Sequence, residues 1–295
     1  MANRKTGITL AVAALAVVAL VVSFVRPNLA KVKDLFAAQQ QPAAEPSAQE
    51  QPEEEPAEEQ VVMPSEEQVA EQKQTLSEHF TWAVVGDSLT EKNFRAATSY
   101  YDYVSDMCDC SVLNYGYSGT GYMEAGSNVP FHEIVQWLDL EDTDIVTIFG
   151  SFNDLGKGYP LGTAYDEGTD TIGGCMASTV EYLRKESPSL RIGIVTPIRW
   201  QTGFAYDADG NPNPQGTTRE ECDAYVQMLK QVAGRYGVLV LDLYNLYPLD
   251  PDDPETLSHY YVEDGVADEY GVHPNSEGHQ LMYRYWRDFL AGAMK

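Results

Sequence analysis

Beyond Thr81, two apolar patterns alternate along the chain. Short, nearly continuous runs rich in branched residues predict strands at Trp82–Val85, Ser111–Leu113, Ile145–Phe149, Ile192–Val195 and Val238–Leu241. Between them, apolar residues recur at helical spacing over Glu91–Asp106, Phe131–Leu138, Thr171–Glu186, Arg219–Tyr236 and Ser276–Ala293. Pro188 stops the third of these helices, and Ser276 stands near the start of the last. Strands that are apolar on both faces and separated by helices predict an α/β fold with a parallel sheet covered on both sides. In such sheets the reactive groups gather in the loops beyond the carboxyl ends of the strands. About 215 residues suit a single domain of this kind, and no internal repeat is visible.

The amino-terminal quarter reads differently. Ile8–Val25 carries no charge and no polar face, and its length is about what a helix needs to cross a hydrocarbon core at ~1.5 Å per residue. Arg4 and Lys5 precede it, in a cytoplasmic segment of residues 1–7. No A-x-A site follows, so it is expected to be an uncleaved signal anchor rather than a removed signal peptide. Positive residues on both flanks leave the orientation open by charge alone. Residues 26–80 are expected to form a disordered tether. From Gln39 to Phe80 there are 11 acidic residues against the single Lys73, with repeated Pro and Ala. Such a spacer suits a domain (81–295) held outside the cytoplasm, clear of the membrane.

Charge narrows the partners. The chain has a formal net charge of −26. Thr81–Lys295 alone holds 33 Asp and Glu against 13 Lys and Arg, a difference of −20. That field repels polyanions and excludes nucleic acid as a partner. Cys108, Cys110, Cys175 and Cys222 are even in number, which permits disulfides outside the cytoplasm, with any bridge running to Cys175 or Cys222. Their spacing does not suit zinc.

The chemistry-bearing residues follow the strands. The first strand runs into Gly86-Asp87-Ser88-Leu89, placing a Ser hydroxyl at the reactive edge, before a predicted helix. The second is followed by a Gly-rich segment containing Gly119, and the third by Gly150-Ser151-Phe152-Asn153-Asp154. Gly271-Val272-His273-Pro274-Asn275 opens the last helix. A Ser hydroxyl becomes a nucleophile when a base takes its proton, and an imidazole is the side chain suited to that near pH 7. The Ser88 N–H, the Gly119 N–H and the Asn153 amide are the donors on offer for an oxyanion, each typically worth ~3 kcal/mol of barrier.

Gly86-Asp87-Ser88-Leu89, Gly119, Asn153-Asp154 and Val272-His273-Pro274-Asn275 resemble the four sequence blocks of the SGNH/GDSL hydrolase superfamily. The resemblance spans essentially all of Thr81–Lys295. It implies a three-layer α/β/α flavodoxin-like sandwich, Ser88 as nucleophile, Gly119 and Asn153 in the oxyanion hole and His273 as base. It also implies hydrolysis of carboxylic esters without a metal or organic cofactor. Two positions depart from the pattern: Ser151 stands where the family has Gly, and Tyr270 where it has the Asp three residues before the His. The triad acid must then be sought among Asp268, Asp264 and Glu269, or be replaced by a backbone carbonyl. Asp268 is preferred, because a tight turn at Gly271 carries it to the ring without doubling back.

Other motifs recede. Gly116-Tyr117-Ser118-Gly119-Thr120 does not match G-x-S-x-G, and the glycines do not fit a dinucleotide loop. Asp207–Asn211 lacks the EF-hand arrangement needed for calcium. The insertion Trp200–Thr218 holds Trp200, Phe204 and Tyr206. With Tyr115, Tyr117 and Tyr159 these form a candidate aromatic wall for an acyl chain or sugar face. The expected function is a membrane-anchored serine esterase acting on small-molecule, glycan or lipid esters. The alternatives are O-acyl transfer at the same site and a non-catalytic glycan-binding module, the latter supported by Tyr270.

Overall fold

The computed structural model describes residues 79–123, 128–203, 217–268 and 270–295. The expected anchor at Ile8–Val25, nearly all of the tether, Phe204, Tyr206, Asp207–Asn211 and Glu269 lie outside them. No helix among the described residues is long and apolar enough to cross a membrane.

Five strands, β1 (Phe80–Gly86), β2 (Cys110–Gly116), β3 (Ile145–Phe149), β4 (Arg191–Val195) and β5 (Leu239–Leu241), form one sheet in the order β2-β1-β3-β4-β5. Every neighbouring pair is parallel. The strand alternation sorts side chains into two cores. Ala83, Val85, Val146, Ile148, Ile192 and Ile194 face one way, against α2 (Phe131–Ile134, continuing as a 3₁₀ turn to Trp137), α4 (Ile172–Glu186) and α5 (Arg219–Tyr236). Trp82, Val84, Ile145, Phe149 and Val195 face the other way, against α1 (Tyr100–Met107) and α8 (Ser276–Ala293). The result is the expected α/β/α arrangement. A one-turn helix, α3 (Asn153–Gly156), follows β3, and α6 (Leu243–Leu246) follows β5.

Three local expectations are corrected. The domain begins before Thr81: Phe80 is a buried β1 residue paired with Cys110, because its ring completes the α1/α8 core. The helix expected from Glu91 starts only at Tyr100. Asn93 diverts the chain: its Nδ2 donates to the Ser88 and Glu91 carbonyls (3.0 and 3.1 Å) and its Oδ1 accepts the Arg95 N–H at 2.9 Å, a local alternative to helical bonding. Before α8 the chain builds α7 (Pro254–Tyr260) and a hairpin of β6 (Val262–Glu263) and β7 (Val266–Ala267). The hairpin was not expected, since two-residue strands carry no periodic signal. The four cysteines are free thiols. Burial pushes Cys110 up to about 12 and Cys175 and Cys222 up to about 11.

An aromatic cluster seats α8 on the sheet. Trp286 stacks on Tyr100 at 4.7 Å between ring centroids and also meets Trp82 and Phe149, while Trp82 Nε1 donates to Thr147 Oγ1 at 2.8 Å. Trp286→Ala should lower unfolding stability by about 3–5 kcal/mol in a denaturant titration, because Trp82 and Phe149 are held by the sheet and cannot move to fill the cavity.

Candidate active site

The strand order reverses between β1 and β3, where β1 connects to β2 on one side and the chain then crosses to the other. This is the switch point at which such sheets open a crevice. Ser88 follows β1, Gly119 follows β2 and Asn153 follows β3, so all three stand around it.

Ser88 sits in a turn rather than at a helix start. The carbonyl of Asp87 accepts the N–H groups of Thr90 (3.0 Å) and Glu91 (2.8 Å), and its Oδ1 accepts the Leu89 N–H at 3.0 Å. The amides after Ser88 are therefore engaged locally. Neither the Ser88 N–H nor the Gly119 N–H has a hydrogen-bond partner among the described residues.

His273, nearly buried, reaches Ser88 across 185 positions of sequence, with Nε2 at 2.8 Å from Oγ. Its Nδ1 bonds to Asp268 Oδ2. A carboxylate cannot donate, so Nδ1 carries the proton and Nε2 is left to accept from the Ser88 hydroxyl. Asp268 is fastened in turn. Its oxygens accept the N–H groups of Tyr270 and His273, each at 3.1 Å, and its own N–H donates to the Tyr261 carbonyl at 2.7 Å. Burial opposes its charge, but the hydrogen bond and charge of His273 and the two amides outweigh that, and its carboxyl is held below the usual range. Asp264, the other described candidate, lies exposed at the hairpin tip with φ 49°. The turn itself depends on Gly271 at φ 60°, where an added Cβ would lie 2.3 Å from Pro251 Cβ.

Asn153 is buried, and its Nδ2 donates to Asp87 Oδ2 and to the Thr120 carbonyl, each at 3.0 Å. The amide offered by the sequence as an oxyanion donor thus has both hydrogens engaged by the protein in this state. Ser151, the departure from the family pattern, contributes its backbone: its N–H donates to Asp87 Oδ2 at 2.6 Å.

Three residues after β3 hold the Gly119 loop, whose glycine adopts φ 74°. Asn153 takes the Thr120 carbonyl. Asp154 accepts the N–H groups of Tyr122 (2.7 Å) and Met123 (3.1 Å). Lys157 Nζ donates to the Gly119 carbonyl at 2.6 Å. Burial pushes the Asp154 carboxyl up to about 6 against the pull of those amides and Lys157, and burial likewise lowers Lys157. Lys157 escaped the sequence reading, although it is the one Lys or Arg between Arg95 and Arg184.

Among the described residues, most members of the expected aromatic wall turn away from this edge. Trp200 is buried, donating its Nε1 to Thr217 Oγ1 and packing on Phe152. Tyr115 and Tyr159 pack against the core, and of the wall residues described only Tyr117 is exposed, edge-on to Trp137. Trp200 was misread because an aromatic in a loop looks the same in sequence whether it faces in or out. Ser118 bonds to the Glu91 carboxylate and stands apart from His273 in the hydrogen-bond network.

Two outcomes follow from this geometry. Gly271→Ala should lower any Ser88-dependent turnover at least tenfold, with a far smaller loss of stability at sites remote from the turn; hydrogen exchange would localise the change. Asp154 binds a proton more tightly when folded than its usual 3.8, so its charged form destabilises the native state. Between about pH 4 and 7 the wild type should therefore lose stability relative to Asp154→Asn as pH rises, by up to ~3 kcal/mol. Urea unfolding of both proteins at pH 4.5 and 7 measures the difference, and a constant gap would rule it out.

Comparison with known proteins places this geometry. The family model for the GDSL-like lipase/acylhydrolase family matches residues 84–281. A solved structure of a protein from Lactobacillus plantarum is 25% identical, with TM-score 0.59, over 73% of this chain and 98% of that one. A possible lipase from Chitinophaga pinensis shares 19% identity at TM-score 0.51, over 72% of this chain and 98% of its own, and so shares the fold. No curated protein sequence matches the chain. With a match that runs from the strand before Ser88 into the helix after His273, the chain belongs to the GDSL-like lipase/acylhydrolase family.

Proposed function

We propose that the protein is a serine esterase that hydrolyses carboxylic esters through an acyl-enzyme on Ser88. The supporting observation is the continuous relay from Ser88 Oγ through His273 to Asp268. As Oγ attacks the ester carbonyl, its proton passes to His273 Nε2, and Asp268 stabilises the imidazolium and keeps its orientation. The carbonyl oxygen becomes an oxyanion facing the Ser88 and Gly119 N–H groups. Asn153 joins them by exchanging its Thr120 bond for one to the oxyanion. The C–O bond to the alcohol then breaks, and the departing oxygen takes the proton from His273. Water repeats the sequence on the acyl-enzyme, releasing the acid and restoring Ser88. The non-catalytic alternative drew on Tyr270 in place of the usual acid, and Asp268 on the ring withdraws that support.

The reading extends to location: an anchor at Ile8–Val25 and an acidic tether would hold this domain outside the cytoplasm. Protease added to spheroplasts should then release active domain, and protection until lysis would reverse the orientation.

With p-nitrophenyl acetate and the full-length chain in detergent, Ser88→Ala should lose activity by 10³-fold or more. Asp268→Asn should lower kcat by a factor on the order of 10³ to 10⁴, whereas Asp264→Asn should stay within a few-fold. A fluorophosphonate should label Ser88. Labelling elsewhere, or full activity of Asp268→Asn, would refute the assignment.

A further inference from the structure

Phe94, Val266 and Tyr270 are among the few large apolar side chains left exposed, and all three border one cavity of about 350 Å³ that also touches Arg95, Asp268 and His273. The cavity is walled on one side by the loop that replaced the expected helix and on the other by the β6–β7 hairpin. Ser88, Gly119 and Asn153 are not part of its lining. It therefore lies on the His273 side of the nucleophile. In the esterase reading, on which this inference rests, the imidazolium delivers its proton to the departing oxygen, so the alcohol half of the ester stands against His273.

The charges in the wall are unequally employed. Glu263 is committed: Oε1 accepts from the Ala97 N–H (3.0 Å) and Ser276 Oγ (2.7 Å), and Oε2 accepts the Ser276 N–H at 3.0 Å. Asp268 is committed to His273. Arg95 forms no ion pair among the described residues, and its guanidinium rests 5.0 Å from the Phe94 ring centroid. Elsewhere in the domain Arg199, Arg219, Lys230 and Arg287 each pair with an aspartate, whereas Arg95 faces the cavity with its charge unmatched among the described residues. A half-buried guanidinium presents a planar fork of donors suited to an oxyanion, and the aromatic ring beneath it limits its freedom. The apolar rim suits a ring or short hydrocarbon body.

We propose that the preferred substrates carry an anionic group, carboxylate or phosphate, on the alcohol half of the ester, and that Arg95 is the specificity-determining residue that binds it.

The experiment compares 4-acetoxybenzoate and 4-acetoxyphenyl phosphate with neutral 4-acetoxybenzamide, using the full-length wild type and Arg95→Gln. The ratio of kcat/KM for the anionic over the neutral ester should fall about tenfold or more in the variant for at least one anion, and the larger fall identifies the group. The ratio for 4-nitrophenyl succinate over 4-nitrophenyl pentanoate, which places the charge on the acyl half, should not move. Equal ratios in wild type and variant, or a shift confined to the acyl-side pair, would overturn the proposal. Binding of 4-hydroxybenzoate against 4-hydroxybenzamide, followed by NMR titration, separates the two readings. Arg95-dependent binding without turnover would uphold the anion site and defeat the esterase reading. Turnover with no Arg95 dependence in either assay would do the reverse.

Discussion

The site depends on one buried carboxylate. Asp87 is fully enclosed, yet it accepts hydrogen bonds from Leu89, Ser151 and Asn153, and so ties the turn after β1 to the segment after β3. Burial raises its pKa against the pull of the Ser151 and Leu89 bonds. A buried charge of this kind is tolerable only when most of its lone pairs are met, and meeting them requires the two strand ends to stand in one relative position. That requirement holds Ser88 in a turn, where its N–H has no hydrogen-bond partner among the described residues.

The same logic extends outward through α3. Asn153 and Lys157 each take one carbonyl of the 119–123 loop and Asp154 takes two of its N–H groups, so one helical turn and its C-cap fix the loop that carries Gly119. None of the three could be placed on the surface without releasing that loop. The cost appears in the opposite pKa displacements of Asp154 and Lys157, both driven by burial. Stability is exchanged here for a fixed Gly119 loop, which in the proposed mechanism preorganises a donor for the oxyanion.

On the other side, His273 is held by chain geometry rather than by a strand. The Tyr261 carbonyl anchors Asp268, Gly271 closes the turn, and Asn275 caps α8 by accepting the Gly278 N–H at 3.0 Å. The aromatic seat of α8 on the sheet, with Trp286 among Tyr100, Trp82 and Phe149, gives this assembly a rigid base. The imidazole then arrives at Ser88 as a consequence of helix packing far from the chemistry.

The sequence alone determined the parallel α/β architecture, because apolar runs and helical spacing are local patterns that every compact fold must satisfy. It also brought Ser88, Gly119, Asn153 and His273 to one edge, since each follows a strand or opens a helix. Asp268 was preferred from the turn at Gly271, but only the tertiary structure separates it from Asp264, because a carboxylate's direction depends on what its oxygens accept. The structure alone decided that Glu91–Ser99 is a loop, through Asn93 bonds that compete with helix formation. It likewise turned Trp200 inward and left Arg95 without a carboxylate partner among the described residues. Periodicity reports which face of an element is apolar; it does not report which polar groups will find each other across the fold.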